Sequence, residues 1–216
     1  MIKRSNMAWI LTTVKLVVAL ALVGWGGWTL YQSSSTTPTQ GPQTTATPTA
    51  GEPTKKTEEE KAAYTVPADH PRHLTIATLG VDANVLPMGV TTDNTIDAPA
   101  SAWDVGWYDK SALPTSEQGS MIIDGHVNDT LNKPGVFYSI ANLTTTDTII
   151  IERGDLQKIT YRVTKIEQKP MEMVNIEALK GSIDGKAGLH LITCSGSYDQ
   201  SRRTYNDRVI VSAVRI

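Results

Sequence analysis

The hydrophobic pattern of this chain changes character twice. From about Thr65 to the end, short apolar runs alternate with turn residues, the mark of strands rather than helices. The predicted runs are His73–Leu79, Val85–Val90, Ser120–Val127, Thr148–Glu152, Lys158–Gln168, Gly188–Cys194 and Arg208–Ile216. Helical spacing is confined to Gly135–Leu143 and to Asn175–Lys180, which Gly181 stops. So many strands without a helix of crossover length predict an all-β domain over residues 64–216, an antiparallel sandwich or barrel. No internal repeat is present.

Residues 32–63 read differently. Ser, Thr and Pro dominate up to the charged run Lys55-Lys56-Thr57-Glu58-Glu59-Glu60-Lys61, with almost nothing apolar to bury. Such a composition predicts a disordered, solvated tether. Residues 1–31 differ again. Lys3 and Arg4 precede Ala8–Tyr31, whose single charge is Lys15. At ~1.5 Å per residue that stretch is long enough for a hydrocarbon core roughly 30 Å thick. Trp9 near one end and Trp25, Trp28 and Tyr31 near the other suit the two membrane interfaces. Lys15 must snorkel toward the headgroups.

The alternative is a cleaved export signal ending at Ala19-Leu20-Ala21, which leaves only a short apolar region after Lys15. The expectation is an uncleaved membrane anchor crossing the plasma membrane once. The positive residues before the span keep the N-terminus inside and the domain extracellular. Both readings export the domain.

Composition narrows the class. A length of 216 residues suits one domain with appendages. A net charge of −2 argues against a nucleic-acid partner held by phosphate contacts. Cys194 is the one cysteine, which excludes an internal disulfide and a Cys-rich zinc module.

An exported lone thiol is either buried and inert or kept for reactivity. Cys194 ends the run Leu189-His190-Leu191-Ile192-Thr193, and Ser195-Gly196-Ser197 opens a polar loop. A strand end meeting a loop is where a barrel presents functional side chains. A nucleophilic thiol needs a proton-transfer partner. His190 is on the same strand face but about 13 Å away, so it reads as a packed or rim histidine. His70 and His73 form an H-x-x-H pair with no third ligand in view. By elimination the partner is His126, which follows Gly125 at another strand end. Arg208 opens the last strand and is the candidate cation for an oxyanion, unless it simply pairs with Asp207. Arg202 and Arg203, in the preceding loop, are weaker candidates.

Leu191-Ile192-Thr193-Cys194, with Arg208 leading a terminal strand fourteen residues later, resembles the T-x-x-C…R signature of sortases, and Ile123-Asp124-Gly125-His126 resembles the G-H motif at the family's catalytic histidine. Order also agrees: histidine, then cysteine, then arginine near the C-terminus. Gly106-Trp107-Tyr108, Pro134-Gly135-Val136-Phe137-Tyr138, Asp147-Thr148-Ile149 and Ile151-Glu152-Arg153-Gly154 look most like class F sortases of actinobacteria and related lineages. No Asp-Pro-aromatic lid of the pilin-polymerising class is evident.

The resemblance implies a closed eight-stranded β-barrel with one or two short helices. It implies cysteine transpeptidase activity on proteins with an LPxTG-like sorting signal, and an amine acceptor such as a cell-wall precursor or a pilin. Cys194 would form the thioester, His126 exchange protons and Arg208 hold the oxyanion, while Thr193 would help position the substrate carbonyl. No metal or organic cofactor is implied. The competing expectations are a peptidoglycan transpeptidase of the L,D type, whose Ser-His-Gly-Cys context is lacking, and an inactive surface-anchored barrel that binds peptides or partners. Asp124 departs from the small or apolar residue common at its position. Strand alternation puts it on the same side as His126, about 6.6 Å along the strand, where it either raises the histidine's proton affinity or is a solvated rim carboxylate.

Overall fold

The structure is a computed structural model that describes residues 55–90 and 96–216. The expected anchor and most of the expected tether lie outside the described residues. Among the described residues, no helix is long and apolar enough to cross a membrane.

Eight strands close into a barrel: β1 (Pro71–Ile76), β2 (Val81–Met88), β3 (Val105–Tyr108), β4 (Ser120–Gly125), β5 (Thr148–Arg153), β6 (Lys158–Pro170), β7 (Gly188–Asp199) and β8 (Thr204–Arg215). Their order around the barrel is β1-β2-β3-β4-β7-β8-β6-β5, and β5 returns to β1. The closed eight-stranded architecture is as expected from the resemblance. Purely antiparallel pairing is not found. β2 pairs with β3 and β4 with β7 in parallel. Parallel neighbours need a crossover of about a dozen residues or more. Here the loop after Met88 and the β5–β6 hairpin provide the crossovers without a long helix. β3 escapes a sequence reading because all its residues are buried and so few positions show no period.

Alternation along the strands explains where the core sits. Met121 and Ile123 of β4, Leu189 and Leu191 of β7, and Val209, Val211 and Ala213 of β8 belong to one large cluster with Phe137 and Ile140. The intervening Ile122, Ile192 and Ile210 belong to a second, smaller cluster with Tyr108. Ile96, Val174, Ile176 and Leu179 cover it. The near-continuous apolar runs of β4, β7 and β8 therefore serve two faces, one toward the barrel interior and one toward an outer cover. The β6–β7 connection supplies part of that cover through Val174, which follows the 3-10 turn Met171–Met173, and through the helix Ile176–Leu179. The helical stretch expected at Gly135–Leu143 is reduced to a 3-10 turn, Ile140–Asn142.

The sequence reading ends the tether at residue 63, but Glu58–Ala63 forms a helix, α1, with Thr57 and Glu60 as a capping box. It is fastened to the barrel by polar contacts rather than by an apolar face. Arg72 donates to the carbonyls of Lys61 (3.0 Å), Ala62 (2.8 Å) and Tyr64 (2.6 Å). Lys61 is 6% exposed and bonds to Asp82. Lys56 meets both oxygens of Asp104 at 2.9 and 2.7 Å. The packed fold thus begins upstream of residue 64, and composition alone could not reveal partners so distant in the chain.

Candidate active site

The outer faces of β4, β7 and β8 converge on one cavity of about 210 Å³. Cys194, His126 and Arg208 all line it, and Asp124 is the fourth polar group in its wall. The rest of the wall is apolar, formed by Ile96, Met171, Val174, Ile176 and Ile192 among others. The three residues singled out from sequence are therefore brought together.

Register does much of the positioning. Cys194 and Arg208 face each other across the antiparallel β7–β8 pair, which sets their Cβ atoms about 4.5–5.5 Å apart. The guanidinium is then fixed by its own contacts. Nη1 donates to the carbonyls of Tyr205 and Asp207, both at 2.9 Å. Nη2 donates to Thr204 Oγ1 at 3.2 Å and to Met171 Sδ at 3.0 Å. The side-chain pairing with Asp207 weighed from sequence does not occur. That carboxylate instead accepts from Gln168 Nε2 at 2.7 Å.

Burial pushes the Cys194 thiol above its ordinary range. Arg208 pulls it down, Asp124 pushes it up, and hydrogen bonds from the Thr204 hydroxyl and the Tyr205 amide pull it down further. The site is a thiol held mostly protonated, beside a fixed cation able to stabilise its anion.

His126 is held just past the end of β4. Its carbonyl accepts from the Phe137 amide at 2.9 Å, and Val127's accepts from the Gly135 amide at 2.9 Å. The close approach of this returning segment requires glycine twice. A Cβ on Gly125 would sit 2.5 Å from the Phe137 ring, and one on Gly135 would sit 2.6 Å from the His126 carbonyl oxygen. The G-H motif is thus a packing requirement as well as a chemical one. The imidazole Nε2 lies 2.7 Å from the Pro99 carbonyl. A carbonyl only accepts, so Nε2 carries the proton in the neutral ring and Nδ1 is the nitrogen that exchanges.

Thr193 lines a second pocket that Cys194 also lines, while its hydroxyl is engaged within the fold. It is 3% exposed, and its hydroxyl donates to the Gly125 carbonyl at 2.7 Å. That bond ties the residue before Cys194 to the residue before His126. Nothing in the order of residues reveals such a cross-strand latch.

The remaining histidines are accounted for. His190 is buried on the outer face, shares a 3.0 Å hydrogen bond with the Ser212 hydroxyl, and is lowered to about 4 by burial. It stays neutral at physiological pH and packs, as expected. His70 meets the Asp69 carboxylate at 2.9 Å and the edge of Trp107, whereas His73 meets the Lys61 carbonyl at 3.1 Å. The H-x-x-H pair has two separate tasks.

Asp124 sits next to Ile192 in the β4–β7 register, with Arg208 as its opposing charge. It is neither a solvated rim group nor charge-coupled chiefly to His126. On the other side of the sulfur lies a second pocket of about 450 Å³, lined by Cys194 and Ser195 together with Asn128, Phe137, Tyr138 and Tyr205. Asn128 Nδ2 donates to Tyr205 Oη at 2.8 Å, joining the loop after His126 to the β7–β8 hairpin.

Comparison with known proteins agrees with this geometry. The family model of the sortase domain matches residues 74–216. None of the curated proteins matches the chain in sequence. Among solved structures, sortase C1 of Streptococcus agalactiae is similar at 23% identity, covering 67% of this chain and 66% of that one, with a TM-score of 0.51. This chain thus spans just under two thirds of that relative's length. The lid mutant of the same enzyme is 21% identical over 77% of this chain and 79% of that one, with a TM-score of 0.51. A lid mutant of sortase A from Corynebacterium diphtheriae is 21% identical over 68% and 69% respectively, with a TM-score of 0.52. At these identities the structural likeness speaks for the fold, and the family rests on the domain match. The chain belongs to the sortases, a family of cysteine transpeptidases.

Proposed function

We propose that this protein is a membrane-anchored, extracellular transpeptidase. It cleaves an LPxTG-like sorting signal through a Cys194 thioester and passes the acyl group to an amine. The observation that carries the reading is the single cavity lined by Cys194, His126 and Arg208. The residues around Gly106, Pro134 and Ile151 favour class F, and residues 8–31 supply the anchor.

The chemistry follows from the groups present. The Cys194 thiolate attacks the threonine carbonyl of the signal, and the negative oxygen that develops is met by the Arg208 guanidinium. As the peptide bond breaks, the imidazolium of His126 gives its Nδ1 proton to the departing amine, and the acyl group remains on sulfur as a thioester. The incoming amine returns a proton to Nδ1 as it attacks, and the thiolate leaves. The apolar wall of Ile96, Val174, Ile176 and Ile192 suits the peptide and shields the thioester from water. The second pocket reaches the sulfur from the other side and suits the amine acceptor, a cell-wall precursor or a pilin. Thr193 lines the second pocket and, through its bond to Gly125, holds β7 in register with the end of β4 beside His126.

Incubating the full chain in detergent with a fluorogenic LPxTG-type peptide and an amine tests this. The expected result is a new amide joining the acyl fragment to the amine. Peptide left intact across a panel of sorting pentapeptides would favour a barrel that binds without turnover.

A further inference from the structure

The groove beside the thiol contains one carboxyl group. Asp124 of β4 is in register with Ile192 of β7, and Cys194 is the next residue on that face of β7. The charged and titratable neighbours in the cavity are Arg208 from β8, Cys194 from β7 and His126 beyond the end of β4. The covering segments present Ile96 and Ala98 on one side and Met171, Val174 and Ile176 on the other, none of them titratable. The Gly125 amide bonds to the carboxylate, and Arg208 acts on it through charge. A carboxyl on β4, flanking β7 on the side away from the Arg208 strand, puts negative charge in the same cavity as the sulfur and opposes the very anion that the reaction needs.

We propose that Asp124 is a positioning residue that governs ionisation of Cys194: its negative charge opposes the thiolate and screens Arg208, and its protonation frees the guanidinium to stabilise the sulfur anion. Burial supports the required protonation, raising this carboxyl to about 7 against the smaller opposing pull of Arg208. The sign is definite. Above that pH Asp124 is anionic and the thiol is harder to ionise; below it Asp124 is neutral and the thiol is easier to ionise. The proposal rests on Cys194 being the nucleophile, yet thiol ionisation is readable without any turnover.

The test is the rate of iodoacetamide alkylation of the full chain, followed from about pH 5 to about pH 10, across the ordinary thiol range. Asp124→Asn lowers the midpoint, and a shift of one unit raises the rate near neutral pH about tenfold. Asp124→Glu keeps the charge and stays near the unaltered protein. All of these proteins retain His126, so the comparison isolates the change at position 124. Folded Asp124→Asn with an unshifted midpoint overturns the proposal. A second measurement needs no variant: carbon-13 NMR of labelled aspartate in the unaltered chain shows Asp124 titrating near 7. Titration in the ordinary carboxylate range overturns the proposal equally. Shifted alkylation without any peptide cleavage would contradict the transpeptidase reading while supporting Asp124's role.

Discussion

Replacing Cys194 with alanine is expected to reduce cleavage of a sorting peptide to the uncatalysed level, a loss of at least about 10⁴-fold, the scale on which removal of a nucleophile acts. No other group can take over. The neighbouring Ser195 lines only the second pocket, and its hydroxyl lacks the cavity shared by His126 and Arg208. Covalent labelling by an irreversible alkylator disappears as well, because Cys194 is the one cysteine in the chain. Thermal unfolding checks that the variant is folded. Its midpoint should change little, since the thiol is half-buried at a cavity wall and its removal opens no sealed void. Substantial peptide cleavage by the folded variant would take sulfur out of the mechanism.

Arg208→Lys is expected to lower turnover by about 10²-fold or more, the usual consequence of losing an oxyanion donor. The charge survives, but the geometry does not. Arginine here satisfies two carbonyls with Nη1 while Nη2 reaches a hydroxyl and a thioether. Those contacts fix the guanidinium plane opposite Cys194 before substrate arrives. A lysine ammonium is a single, strongly hydrated point charge on a flexible stem and cannot be held in that fork. The loss should fall more on kcat than on KM, because the oxyanion exists only in the transition state and intermediate. Unchanged rates for this variant would reduce Arg208 to a packing residue.

The sequence revealed the chemistry more readily than the geometry. Alternation on β4, β7 and β8 is visible in runs such as Leu189–Cys194, so the strands that carry Cys194 and Arg208 and the one that leads to His126 could be identified. The expected strand ends at Cys194 and Arg208 are instead mid-strand positions, because β7 and β8 continue as a hairpin to Asp199 and from Thr204. The meeting of all three residues could not be derived from periodicity, because it depends on β7 lying between β4 and β8. That order includes a parallel pair, which local patterns do not encode. Asp124 shows the same limit. Its side of the strand follows from alternation, but its neighbours depend on which strand lies alongside. α1 was hidden for a different reason: Lys61 is buried by ion pairing and backbone acceptors, whereas a charged run ordinarily reads as solvated.

Thr193 and Pro99 teach a related lesson about supporting groups. The Thr193 hydroxyl bonds to a backbone carbonyl, and the Pro99 backbone carbonyl holds the His126 ring. Main-chain atoms are the same in every sequence, so such partners leave no trace in residue identity. They nonetheless decide which histidine nitrogen exchanges a proton and how β7 is aligned with the end of β4.

Intact-protein mass spectrometry of the chain mixed with a sorting peptide, quenched in acid before an amine is added, addresses the reaction most directly. A mass increase equal to the peptide's acyl fragment, mapped to Cys194 and discharged by an added amine, is the predicted result. Peptide cleaved with no adduct on that sulfur, or an adduct carried by another side chain, would contradict a Cys194 thioester.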